Sequence, residues 1–168
     1  MRIFPTRTYI SGTRWCVWRW TDVVPEGRGE TYLVRLHLFQ TPWCSCMLHW
    51  ILRADPQPDL HDHPNAFLSV VIRGWYEEEI PKRGSDSELI SRRVSLWNFK
   101  RPFDRHRIVA LHRPTLTLVF AGPVVRGWGF HTPQGWEPWR EYVARHRTDS
   151  ARVISGSTDS DANSMKTG

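Results

Sequence analysis

The sequence is poor in cysteine: three residues in 168, namely Cys16, Cys44 and Cys46. An odd count, with no apolar signal segment in "MRIFPTRTYISG", argues against a disulfide framework and for a reducing, cytoplasmic setting. Cys44-Ser45-Cys46 is a C-x-C pair whose thiols would share one face of a strand, and buried apolar thiols are the expected state there. Long apolar runs are missing as well. None approaches the roughly 20 residues that span a bilayer as a helix, so no membrane partner is expected. No block of Lys or Arg exceeds two residues, although the formal charge is +6. Such scatter reads as a solvated arginine-rich surface and places nucleic acid last among the partners. G-x-S-x-G, P-loop and zinc-finger spacings are all absent. An enzymatic reading therefore has to rest on a metal.

What the chain has instead is aromatics and short strand-like runs. Tryptophan occurs ten times and the hydrophobic fraction is 40%, enough for one sizeable core with indoles left over to line a cleft. Runs rich in Val, Ile, Leu, Thr and aromatics cover 14–20, 31–39, 46–53, 66–74, 88–99, 106–111 and 115–123, each bounded by turn formers such as "DPQP" and "KRGSD". Short, punctuated strands predict an all-β sandwich or barrel. One helix is predicted over 137–147, with Pro138 near its start and Trp139, Tyr142 and Val143 at helical spacing. The expected organisation is one domain over 1–147 and a disordered tail over 148–168, where Ser, Asp, Thr and Gly replace the aromatics.

The histidines carry the chemistry. His61 and His63 stand two apart in "HDHPNAFLSVVIRGW", and on an extended chain residues i and i+2 face the same way. A strand aims both imidazoles into one space, where two neutral rings suit a divalent first-row metal. Asp62 then points to the opposite face, where it can pair with an arginine or cap the turn. His106, at the start of a later strand-like run, is the best third ligand. His49 alternates with Met47 and Ile51 and so faces an apolar side, as a core residue or a neighbour of the site. His131 reads as a loop residue, and His146 falls at the end of the helix.

An H-x-H pair, a strand, a glycine turn and a later strand carrying a histidine together resemble the cupin superfamily. His61, His63 and Gly74 match its first motif, and Pro102 and His106 match part of its second. A closer resemblance is to a group of small cupins of bacteria and phages, carried by "HDHPNAFLSVVIRGWYEE", "HRIV" and "TLTLVFAGPVVRGWGFHTPQGWEPWREY". The resemblance implies a cupin-type double-stranded β-helix (a jelly-roll barrel) with a short C-terminal helix. It also implies a divalent metal (Fe, Mn, Ni or Zn) on His61, His63 and His106, a small-molecule ligand, and a homodimer by analogy. The superfamily's usual glutamate ligand would fall at Phe67 or Leu68, and Ala66 stands where the closer group often has an acid. Three neutral imidazoles remain, a set that favours an anionic substrate and is found in oxygenase-type cupins. Glu77 or Glu79 would substitute for the acid if either pointed inward. His49, Arg73, Arg126 and Trp128 are the expected substrate-binding residues. The expected function is metal-dependent chemistry of the oxygenase, lyase or isomerase type on a small, anionic metabolite. The alternatives are a ligand-binding cupin without catalysis and, last, a basic nucleic-acid or protein-binding module.

Overall fold

The computed structural model describes residues 16–23 and 31–146, apart from 86. The expected tail lies outside the described residues, as do parts of the run at 14–20. The chain runs through β1 (Cys16–Val23), β2 (Leu33–Gln40), β3 (Ser45–Ile51), β4 (Leu60–His61), β5 (Phe67–Arg73) and β6 (Tyr76–Pro81). It continues through β7 (Leu89–Val94), β8 (Trp97–Lys100), β9 (Arg107–Leu111), β10 (Thr115–Ala121), β11 (Gly129–Thr132) and β12 (Gly135–Pro138). One helix, α1 (139–146 among the described residues), follows; Glu137 and Pro138, the first two residues of the predicted span, belong to β12 instead. No helix among the described residues is long and apolar enough to cross a membrane.

Six strands form one antiparallel sheet in the order β1-β2-β3-β10-β5-β8. Two three-stranded sheets, β12-β11-β4 and β7-β6-β9, make the facing wall. They are stitched together by a bridge between His61 and His106, whose backbone N–H and C=O groups bond reciprocally at 2.9 and 3.0 Å. The result is a sandwich of two packed layers, the jelly-roll arrangement expected.

In β10 the burial alternates strictly: Thr115, Thr117, Val119 and Ala121 are buried between less buried neighbours, as a period of two demands. Leu33, Ile51, Tyr76 and Val94 close one part of the interior, and Met47, Val119 and Ala121 with Phe67 close another. Truncating one of the larger of these to Ala, such as Ile51 or Met47, should cost about 2–5 kcal/mol. Gly74 turns β5 into β6 at φ 86°, and a Cβ there would meet Thr115 Oγ1 at 2.6 Å. Only glycine suits both the backbone and the space.

Three expectations change. The run at 88–99 is two strands, β7 and β8, which belong to different sheets, so the chain crosses between layers around Ser95 and Leu96. Tyr76–Pro81 was not among the predicted strands because "EEE" lacks the usual β composition, yet β6 is the centre of its sheet. Its acids face arginines across the ladder, Glu77 opposite Arg93 and Glu78 opposite Arg92 on β7, and Glu79 opposite Arg107 on β9. Opposite charges in register offset the poor propensity. Finally, Cys44 is exposed in the turn before β3 while Cys46 is buried, so the two thiols do not share a strand face.

Candidate metal centre

β4 ends at His61, and the chain bends at Pro64, whose carbonyl accepts from the Val125 N–H. His61 and His63 project from this extended segment into the space between the sheets. The backbone bridge to His61 brings His106 alongside. The ligating atoms of His61, His63 and His106 all lie within 4.8 Å of one another, and the Nε2 atoms of His63 and His106 are 2.9 Å apart. Around a first-row ion with metal–nitrogen bonds of about 2.0–2.1 Å, two ligands at right angles lie roughly 3 Å apart. The donor set and the spacing therefore fit a divalent metal. Burial holds the pKa of both His61 and His63 well below the ordinary histidine value, with the charges of His106 and Lys100 adding to it. Both rings are thus neutral at physiological pH, the form that offers a lone pair to a metal.

Behind His106 stands a buried polar network. Its Nδ1 lies 2.6 Å from Glu78 Oε2, which leaves Nε2 for the centre. Glu78 is fully buried and also accepts from Arg92 Nε (2.7 Å), Lys100 Nζ (3.0 Å) and Asn98 Nδ2 (3.1 Å). Burial alone would raise this carboxyl, but the bond to His106 and the charge of Lys100 outweigh it and hold the group far below the carboxylate range. Asn98 Nδ2 lies 3.1 Å from the Tyr76 hydroxyl as well. Behind His61, the Asp55 carboxylate sits 3.7 Å from Nδ1 and accepts from the Ile108 N–H at 2.7 Å.

Asp62 faces away from the three rings, as the alternation requires. It is 1% exposed and accepts from Arg126 (2.7 Å), the Gly129 N–H (2.8 Å) and Trp136 Nε1 (2.9 Å), with His131 Nε2 at 3.1 Å. A Cβ on Gly129 would overlap the Glu137 carbonyl on β12, so this residue also permits the close approach of β11 and β12. His131 belongs to β11 and not to a loop.

The three histidines open onto a cavity of about 450 Å³. Of the expected substrate-binding residues, His49 and Trp128 line it. Trp128 sits 6.3 Å from His61 between ring centroids and stacks on Trp139 of α1. The helix is anchored in turn by Tyr142, which is fully buried, stacks on Phe130 and donates to Asp59.

Arg126 and Arg73 are not among the cavity's lining residues. Arg126 spends its charge on Asp62 and donates to the Pro102 carbonyl at 3.1 Å. Arg73 is exposed and borders a separate concavity with Trp50, Arg113, Pro114 and Leu116. A register shift between Leu116 and Thr117 puts Arg73 opposite Leu116, on the outer face. Among the described residues that line the cavity, the one cation is Arg35 on β2. The glutamate that points inward is Glu78, not Glu77 or Glu79, and it stands behind a histidine and not beside it. Where an acidic ligand was expected, the Phe67 ring meets His63 edge-on at 4.6 Å.

Sequence reasoning missed Glu78, Asp55, Arg35 and Thr117. For Arg35 the signal was present: Arg35 and His37 stand two apart on a strand, the same spacing that marked His61 and His63.

Comparison with known proteins bears on the fold. No protein-family model matches the sequence, and no curated protein does. Among solved structures, the chain is similar to the DMSP lyase DddQ from Ruegeria pomeroyi DSS-3, at 16% identity and a TM-score of 0.50 over 70% of this chain and 63% of that one. KdgF from Halomonas sp. is similar at 22% identity and a TM-score of 0.46, over 63% of this chain and 88% of that one. Streptomyces albus HEPD, solved with 2-hydroxyethylphosphonate and Fe(II), is similar at 14% identity and 0.49 over 68% of this chain and 25% of that one. The chain thus spans less than two thirds of both DddQ and HEPD. At 16% identity the likeness to DddQ shows the fold alone, a cupin-type jelly roll.

Proposed function

We propose that this chain is a metal-dependent enzyme acting on a small, anionic molecule inside its cavity, by chemistry of the oxygenase, lyase or isomerase type. The observation that carries it is the convergence of His61, His63 and His106 within 4.8 Å, with His106 held by a buried carboxylate. Fe, Mn, Ni and Zn all suit three imidazoles. A bound ion would supply Lewis acidity toward a substrate oxygen and positions open to O₂ or water. The protein's share is then to present neutral rings, to fix His106 through Glu78, and to shape the cavity between the two sheets. With no carboxylate among the ligands, the centre keeps its full positive charge, which favours an anionic substrate.

Metal analysis after reconstitution tests this. Wild type should hold about one ion per chain, and His61→Ala, His63→Ala and His106→Ala should each lose it while remaining folded. A wild type that takes up no metal would overturn the reading.

A further inference from the structure

The wall opposite the three histidines carries a polar row. On the inner face of the six-stranded sheet, Arg35 on β2 is directly opposite His49 on β3, and His49 is directly opposite Thr117 on β10. All three line the cavity. Their neighbours along the strands, Leu48, Trp50, Leu116 and Leu118, point the other way, so this sheet turns polar groups inward and apolar ones outward at its centre. Such an inversion is costly in a core unless the polar groups meet something.

Their own contacts show how they are set. Arg35 Nε donates to His49 Nε2 at 2.8 Å. Burial first, then the charge of Arg35, keeps His49 neutral, so its proton sits on Nδ1 as a donor. The same bond fixes the plane of the guanidinium, whose fork matches a carboxylate or phosphonate. Thr117 is 1% exposed, and its Oγ1 has no hydrogen-bond partner among the described residues. A buried, unsatisfied hydroxyl in a cavity wall is one that a water or a ligand oxygen would satisfy.

We propose that Arg35, His49 and Thr117 form an anion-holding subsite for a carboxylate or phosphonate group, facing the three histidines across the cavity. The subsite rests on the reading of those histidines as the reacting centre. It makes the substrate a small acid with two ends, one held by Arg35 and the other presented to the metal. Arg35 positions the substrate and takes no part in bond making.

Calorimetric titration of the metal-reconstituted protein with methylphosphonate and with acetate, and with acetamide as the neutral control, tests it. Wild type should bind one or both anions and not acetamide, and the stronger anion identifies the head group. Arg35→Met should weaken anion binding about 10- to 100-fold, the worth of charge-assisted hydrogen bonds, with metal content unchanged. Arg35→Lys should fall between, and Thr117→Val should cost several-fold. If Arg35→Met does not fold, the Lys and Val variants decide. Wild-type affinity in a folded Arg35→Met or in Thr117→Val, or equal binding of acetamide, would overturn the subsite. So would anion binding that survives Arg35→Met and disappears in His61→Ala, because the anion would then sit on the metal. A wild type that takes up no metal but binds the anion through Arg35 would overturn the metal reading and leave the subsite standing.

Discussion

Asp62 and Glu78 are both buried to 1% exposure or less, both stand next to the three histidines, and both accept several hydrogen bonds. They hold different things. Asp62 gathers donors from the backbone at Gly129 and from Arg126, His131 and Trp136, so it ties the H-x-H segment to β11, β12 and the loop between β10 and β11. Glu78 gathers Arg92 and Lys100 on Oε1, and its Oε2 takes Asn98 and the His106 ring. One carboxylate fixes where the ligand segment runs; the other fixes how a ligand ring is turned. The lesson is that an acid can serve a histidine site without being a ligand, and that of two such acids only one need act on metal affinity.

Asp62→Ala should act on the fold. It leaves the Arg126 charge and two N–H donors without their acceptor, a loss of about 3–5 kcal/mol when a buried ion pair is broken from one side. Against a total stability of about 5–15 kcal/mol, urea melts should show a large drop in midpoint, and metal uptake should fall only with the folded fraction. Glu78→Gln should act on the metal as well. The amide oxygen can still accept from Lys100 or Arg92, but the buried Lys100 charge loses its counter-charge, so the stability loss should also be about 3–5 kcal/mol. Metal affinity, read by competition with a chelator, should fall about 10- to 100-fold. If Asp62→Ala lowers affinity per folded molecule more than Glu78→Gln does, the division between the two acids is wrong.

Part of this was legible in the sequence. His61 and His63 obey a period of two whatever the register, so their shared direction and the opposite direction of Asp62 follow from spacing alone. His106 announces itself as the polar start of an apolar strand. The inward glutamate was not legible, because three consecutive acids carry no apolar alternation to mark the inner face, and only the burial of Tyr76 two residues earlier shows that Glu78 shares it. Arg73 falls outside the cavity because of a register shift on its own strand, opposite Leu116 and Thr117. Arg35 was overlooked for a different reason: an arginine in a strand ordinarily belongs to the solvent face, whereas this one bonds to His49 on the inner face. The face of His49 itself was legible, since it alternates with Met47 and Ile51 and the register keeps them on one side.

The opposite wall has its own signature in pH. The folded pKa of His49 lies well below 6.5, lowered by burial and by Arg35 and His37. The unfolded chain therefore binds a proton near 6.5 that the folded chain does not. Stability is full above that pH and declines as pH falls below it, because the unfolded state holds more protons there. His61 and His63 shift the same way, so the metal-free protein should lose stability as pH falls below about 6.5. His49→Gln should make that slope shallower without abolishing it. Urea midpoints measured at half-unit pH steps read the difference, and an unchanged slope would mean that His49 is protonated in the folded state.

The smallest expected effect is the most discriminating between the two arginines once placed at the site by sequence and the one found there. Arg73 is exposed and lies on the outer face beside Trp50 and Arg113. Its loss removes no buried partner, so Arg73→Ala should change stability by no more than about 0.5 kcal/mol and leave methylphosphonate and acetate binding at the wild-type level. Arg126→Ala should fall between Arg73→Ala and Asp62→Ala, because it removes one donor from a carboxylate that keeps Gly129, His131 and Trp136. An anion affinity that drops in Arg73→Ala but not in Arg35→Met would move the substrate from the cavity to the outer concavity, since the two arginines face opposite sides of the same sheet.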